Sequence, residues 1–222
     1  TALADAALDE RLKAEWLESA LAGATYSERA VLLDRSQPDD SGTRNLFADY
    51  LARQLTQQRI DDGLSRAAAG KALLQRVSAQ TGVAPEIIVA IWGMETSYGR
   101  VLGGFDLPSA IATLAYDGRR EALFTRELDA LVRMVGERGV RRDQLKGSWA
   151  GAFGQSQFLP SSYLNFAVDG DGDGLADIWG SQADTFMSIG NYLAKNGWQP
   201  GLTWGFRVGV PQGFDRTTVA NP

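Results

Sequence analysis

Apolar residues recur every three or four positions in separate stretches of the chain, and this spacing commits it to helices. Leu8, Leu12, Trp16, Ala20 and Leu21 form one stripe, and Phe47, Tyr50, Leu51 and Leu55 another. Residues 34–42 (DRSQPDDSG) read as a polar, turn-rich break between them. A short helix over 71–80 stops at Gly82. Pro85 then takes a first helical position, with Glu86 behind it, and that helix runs to about Tyr98 through Ile87, Ile88, Ile91 and Trp92. Phe124, Leu128, Leu131, Val132 and Val135 make a further stripe. Pro160 opens a short helix through Tyr163 and Phe166, and Phe186, Ile189, Gly190 and Leu193 belong to a last one, stopped near Gly197. Beyond Trp198 the pattern loosens, and 203–208 alternate weakly, as one strand would. The expected fold is mainly α (α+β with minor β), with glycine-rich loops.

Two absences narrow the chemistry. With no His, the chain has no Ser-His-Asp triad, no His-ligated zinc and no imidazole acid-base catalysis. With no Cys, it has no thiol nucleophile, disulfide or thiolate metal site. Catalysis must therefore use carboxylates, hydroxyls, amides, Lys, Arg or Tyr, or an oxygen-ligated metal. The net charge of −5 argues against a nucleic-acid surface. No apolar run reaches the roughly 18 residues of a membrane-spanning helix.

One carboxylate stands out by position. Glu95 follows Trp92, Ile91 and Ile88 by three, four and seven residues, so all four share a helix face. It lies in the last turns, near the negative end of the helix dipole. Partial desolvation and the dipole both raise its pKa, as a general acid needs. The same position also suits a core-edge Glu paired with an Arg. Glu86, on the first turn, is a helix-terminus charge.

The sharpest local motif is Asp169-Gly-Asp171-Gly-Asp173-Gly174-Leu175-Ala-Asp177. Carboxylates at positions 1, 3 and 5, glycine at 6, the Leu175 carbonyl at 7 and Asp177 at 9 follow an EF-hand calcium loop. Position 12 departs from it: Gly180 stands where a bidentate Glu belongs, and Asp184 is the carboxylate able to reach back. All-oxygen ligands favour Ca²⁺, and a closed protein ligand set makes the ion structural. A second loop, 146–160 (KGSWAGAFGQSQFLP), is rich in small and neutral polar residues. Gly147, Gly151 and Gly154 allow close backbone approach, and Ser148, Gln155, Ser156 and Gln157 offer the neutral hydrogen bonds that sugars and amides require. Tight helix packing explains the same composition equally well.

Taken together, Gly82–Gly99 (GVAPEIIVAIWGMETSYG), 112–120 (ATLAYDGRR), 145–163 (LKGSWAGAFGQSQFLPSSY), the aspartate loop and 191–198 (NYLAKNGW) resemble the membrane-bound lytic transglycosylase B family, lysozyme-like enzymes that cleave bacterial peptidoglycan. The resemblance spans about 82–198 in order. It implies a lysozyme-like helical core over 82–200 with an EF-hand-like calcium loop at 169–184, an N-terminal helical region at 1–81 packed on it, and an incomplete C-terminal extension at 201–222. It implies Glu95 as sole catalytic acid/base, and Ser148, Gln157 and Tyr192 along the glycan site. Tyr98, Tyr116, Arg119 and Arg120 are further substrate-binding expectations, the two arginines toward acidic stem peptides. It makes Asp169, Asp171, Asp173, Leu175, Asp177 and Asp184 the Ca²⁺ ligands, with no organic cofactor.

The reaction implied is cleavage of the MurNAc-GlcNAc β-1,4 bond with formation of a 1,6-anhydromuramoyl end. The alternatives are a hydrolytic muramidase of goose-lysozyme type and a non-catalytic peptidoglycan-binding scaffold. The expected partners are peptidoglycan glycan strands and cell-wall synthesis or division proteins, with no nucleic acid, for a monomer in the periplasm, soluble or anchored to the outer membrane through a segment outside this chain.

Overall fold

A computed structural model describes residues 2–37, 47–202, 205 and 208–215. Ten α-helices run through the described residues: α1 (Ala2–Leu21), α2 (Glu28–Arg35), α3 (Phe47–Gln54), α4 (Gln57–Ala69), α5 (Lys71–Thr81), α6 (Pro85–Thr96), α7 (Leu107–Asp117), α8 (Glu121–Arg138), α9 (Pro160–Phe166) and α10 (Gln182–Lys195). Two short antiparallel strands, β1 (Phe105–Asp106) and β2 (Lys146–Gly147), pair Phe105 with Gly147 and Asp106 with Lys146. The fold is thus mainly helical, with a minor sheet. The strand expected over 203–208 falls largely outside the described residues.

Sequence signals explain most helix ends. Ser27, Thr56, Asp106 and Ser181 cap α2, α4, α7 and α10 by accepting from backbone N–H groups three residues on. Pro85 and Pro160 open α6 and α9. Gly82 ends α5 at φ 72°, a left-handed conformation that favours glycine. Three helices, α2, α4 and α7, carry no apolar stripe that marks them in the sequence. In α7 the whole first half is buried, so no polar face marks a period. In α4 no described residue is fully buried. In α2 the terminal Asp34 had the look of the polar break that follows it.

The core has two parts. In one, Leu107, Ile111 and Leu114 of α7 meet Phe124, Leu131 and Met134 of α8, with Phe153, Phe158, Tyr163 and Ile178. In the other, Leu74 and Val77 of α5 meet Ile88, Val89 and Trp92 of α6, Tyr98, and Phe186, Met187 and Ile189 of α10. Helix α1 lies on α8, where Gly136 makes room for Trp16: a Cβ there would stand 1.9 Å from the indole.

Asp34 is not part of a solvated break. It is 1% exposed and accepts from both Arg119 and Arg120, at the turn between α7 and α8. Burial acts to raise its pKa, but hydrogen bonds and charge from the two guanidiniums outweigh this and hold it below the ordinary aspartate value. The pair ties α2 to the core and commits both arginines. Each guanidinium side chain is about a third exposed, at 37% and 33%, which screens the attraction. Asp34→Asn is therefore expected to cost about 1–3 kcal/mol, chiefly from unmatched buried donors, and to lower Tm by several degrees. The loss should be full above the ordinary aspartate pKa and fade as pH falls through the depressed one. Thermal melts over that pH range check it; an unchanged Tm at neutral pH would contradict it.

Candidate active site

The two core clusters meet at a groove of about 360 Å³. Ile91 and Glu95 of α6 form one wall. Ser156, Gln157, Phe158 and Leu159 form the second, and Ile189, Tyr192 and Leu193 of α10 the third. The face read from the sequence is split: Ile88 and Trp92 enter the core, whereas Ile91 and Glu95 edge the groove.

A buried hydrogen-bond network joins the first two walls. Trp92 Nε1 donates to Gln155 Oε1 at 2.8 Å, and Gln155 Nε2 donates to the Trp179 carbonyl at 3.0 Å. Thr96 Oγ1 lies 3.0 Å from the Gln155 carbonyl. Gln155 N donates to the Ile178 carbonyl at 2.8 Å. The segment is a tight turn closed by reciprocal Phe153–Phe158 backbone bonds at 2.9 and 3.0 Å. Its Gly154 has φ 68°, and a Cβ there would come within 2.7 Å of Ile178. Gln157, at φ 49°, donates from Nε2 to the Gly154 carbonyl at 3.0 Å.

Helix α6 ends abruptly beside this turn. Ser97 and Tyr98 adopt φ 50° and 64°, uncommon for residues other than glycine. They swing the chain under the helix, which is why α6 stops at Thr96 and not at Tyr98. The Tyr98 hydroxyl donates to the Arg59 carbonyl at 2.7 Å. Its ring lies so close to Gly93 that a Cβ there would approach to 2.5 Å. Tyr98 therefore bolts α6 to α4 on the side of the helix that bears Gly93, and it does not line the groove beside Glu95.

Glu95 is an exposed residue on the groove wall. No hydrogen bond or ion pair engages its carboxyl among the described residues. Desolvation raises its pKa above the ordinary glutamate value. Among the described residues no Arg pairs with it, and the carboxyl lines the groove with its pKa raised.

Of the other expected residues, Gln157 and Tyr192 join Glu95 in lining the groove. The Tyr192 ring leans on Phe158 and Phe166, with centroids 5.6 and 4.9 Å away. Ser148 does not line the groove: its Oγ accepts from Ala152 N at 3.0 Å, which closes a turn. Tyr116, 86% exposed on α7, does not line the groove. Arg119 and Arg120 are engaged by Asp34 and do not line it either. Gln155, which organises the wall, had been marked only as one of several polar loop residues; its pairing with Trp92 spans 63 positions and leaves no local signal.

The aspartate loop leads into α10. Carboxylate oxygens of Asp169, Asp171 and Asp184 lie within 4.8 Å of one another. Asp184 is fully buried; its two oxygens accept from Gly170 N at 2.8 Å and Asp177 N at 2.7 Å. Burial, then the nearby Asp171 charge, raises its pKa against these hydrogen bonds. No cation pairs with it among the described residues. A buried carboxylate crowded by two others, with oxygen donors alone, fits a hard divalent cation. Asp173 and Asp177 instead accept from N–H groups of their own turns, Leu175 N at 2.8 Å and Trp179 N and Gly180 N at 3.0 Å each.

A family model described as a transglycosylase SLT domain matches residues 1–221. The chain is 35% identical over 194 residues to membrane-bound lytic murein transglycosylase B of Escherichia coli (strain K12), covering 82% of this chain and 54% of that protein. It therefore spans about half the length of this curated relative. The solved structure of SltB3 from Pseudomonas aeruginosa in complex with NAG-NAM-pentapeptide matches with a TM-score of 0.85 and 40% identity, over 96% of this chain and 56% of that one. Escherichia coli Slt35 in complex with calcium matches with a TM-score of 0.71 and 30% identity, over 86% of this chain and 64% of that one. By the extent of the family match and by these identities, the chain belongs to the transglycosylase SLT-domain family.

Proposed function

We propose that the chain is the catalytic part of a peptidoglycan lytic transglycosylase acting in the periplasm on the MurNAc-GlcNAc β-1,4 bond. The observation that carries this reading is a Glu95 carboxyl that no hydrogen bond or ion pair engages among the described residues, its pKa raised by desolvation, in a groove of about 360 Å³. Relatives support it: SltB3 was solved with NAG-NAM-pentapeptide and with NAG-anhNAM-pentapeptide.

Most glycosidases place two carboxylates about the scissile bond. Among the described groove residues Glu95 is the one carboxylate, so it serves twice. Protonated Glu95 gives its hydrogen to the bridging oxygen as the bond from that oxygen to the muramoyl C1 breaks. The acetamido carbonyl of the substrate stabilises the positive charge at C1. The Glu95 carboxylate then takes the proton of the muramoyl O6, and O6 bonds to C1. The proton returns to the enzyme, no water is consumed, and the product is a 1,6-anhydro end. Proton transfer of this kind contributes about 10²–10⁴ in rate, with positioning supplying more. Gln157 and Tyr192 orient the glycan, Gln157 through Oε1, since its Nε2 donates to the Gly154 and Leu102 carbonyls.

Ca²⁺ is proposed as structural, held by Asp169, Asp171 and Asp184, with Asp173, Asp177 and the Leu175 carbonyl completing the set. When bound, it neutralises the acidic loop. Slt35 with calcium supports the reading.

Glu95→Gln is expected to keep the fold and glycan binding and to lose turnover by at least about 10². Mass spectrometry of digested sacculi reads the products: the wild type releases anhydro ends, one water lighter than the hydrolytic products of a muramidase. Anhydromuropeptide release near the wild-type rate by Glu95→Gln would falsify the assignment.

The raised Glu95 pKa also has a sign. Between the ordinary and the raised value the folded chain binds more protons than the unfolded one, so stability falls as pH rises through that window. Glu95→Gln should therefore melt at or above the wild-type Tm at neutral pH, and the difference should vanish below the ordinary glutamate range. A lower Tm for the variant at neutral pH contradicts desolvation as the cause.

For the metal, a ligand that binds only the native state raises Tm by mass action. Calcium chloride should raise the wild-type Tm and leave Asp171→Ala/Asp173→Ala nearly unmoved. Equal calcium shifts in both proteins remove the metal assignment.

A further inference from the structure

The turn that walls the groove carries three consecutive polar residues, and two are accounted for. Gln155 spends its amide on Trp92 and Trp179, and Gln157 spends its Nε2 on the Gly154 carbonyl. Ser156, between them, is 5% exposed, and its Oγ is buried without a hydrogen-bond partner among the described residues. It lines the groove beside Glu95, Ile91 and Tyr192. No hydrogen bond links it to the Glu95 carboxyl, whose pKa is raised by desolvation alone.

A hydroxyl shut away without a partner is unfavourable. Alanine would fit the same place without that loss. The closed geometry of the turn keeps Ser156 where it is, because Phe153 and Phe158 bond reciprocally on either side and Gly154 and Gln157 take left-handed φ values. Its hydroxyl, able to donate and to accept, has almost no exposed surface as it lies, so it meets a ligand in the groove that Ser156 lines by turning to another χ1 rotamer on a backbone that stays put.

We propose that Ser156 Oγ is a glycan contact, making a hydrogen bond to a neutral polar substituent, acetamido or hydroxyl, of the sugar seated against Glu95. The inference rests on the glycan-cleaving reading of the groove. It adds a specificity residue to that reading: a site built to satisfy a sugar's polar group discriminates against one that lacks it, because the hydroxyl is then left unpaired.

The test uses Glu95→Gln, so that the ligand is not consumed, with and without Ser156→Ala. Calorimetry measures binding of a soluble N-acetylglucosamine oligomer, and thermal melts measure stability. Ser156→Ala is expected to weaken binding roughly three- to tenfold, the worth of one net hydrogen bond, while Tm stays equal or rises. That combination separates a ligand contact from a structural hydroxyl, whose loss lowers Tm. Unchanged affinity overturns the proposal, and so does a fall in Tm whatever the affinity. If Glu95→Gln alone binds no oligomer, the glycan reading of the groove fails first, and the Ser156 contact falls with it.

Discussion

The site depends on a buried hydrogen bond from the Trp92 indole to the Gln155 amide. Trp92 belongs to the α6 cluster, and Gln155 is embedded beside Phe153 and Ile178 of the other cluster. Apolar contact alone is non-directional and would allow the two halves to slide. A 2.8 Å bond between two otherwise costly buried polar groups permits one register. The same amide holds the Trp179 carbonyl, so three segments far apart in sequence share one fixed point. Glu95, one turn beyond Trp92, and Gln157, two residues beyond Gln155, inherit their separation from it.

Helix α10 links that point to the acidic loop. Its first turn contains Asp184, and Ile189, Tyr192 and Leu193 reach the groove further along. Tyr192 follows Asp184 by eight residues, about 12 Å of helix. Both Asp184 oxygens grip backbone N–H groups of the loop, at Gly170 and Asp177. The loop thus sets where α10 begins, and α10 sets where the Tyr192 ring stands. An ion bound among these carboxylates would relieve repulsion at one end of the helix without entering the groove at the other.

The sequence was readable where structure is local. Periodicity and glycine or proline punctuation mark α5, α6, α8, α9 and α10 because those helices have one buried and one wet face. They fail for α7, which is buried over its first half, and for α4, whose described residues include none fully buried. Glu95 was visible as a carboxylate on an apolar face, and the aspartate loop as a spacing. Long-range pairings were not visible. Asp34 resembles any loop aspartate until Arg119 and Arg120 arrive from 85 and 86 residues away. The helix expected to run to about Tyr98 stops at Thr96, because two left-handed residues turn the chain under α6. The resemblance to a family supplied candidate residues; the fold decides which share a wall.

The groove's electrostatics then follow from what surrounds Glu95. Among its described lining residues no Lys, Arg or second acid accompanies the carboxyl, and the polar groups are amide, hydroxyl and phenol. A cation there would hold Glu95 ionised and remove its hydrogen. A second carboxylate would set up a shared proton with split pKa values. Apolar neighbours such as Ile91, Phe158 and Ile189 do neither, and desolvation is left as the agent that raises the pKa. Such a wall suits a neutral, hydroxyl-rich ligand; in the proposed reaction the acetamido group of the substrate supplies the charge stabilisation that a second carboxylate provides in most glycosidases.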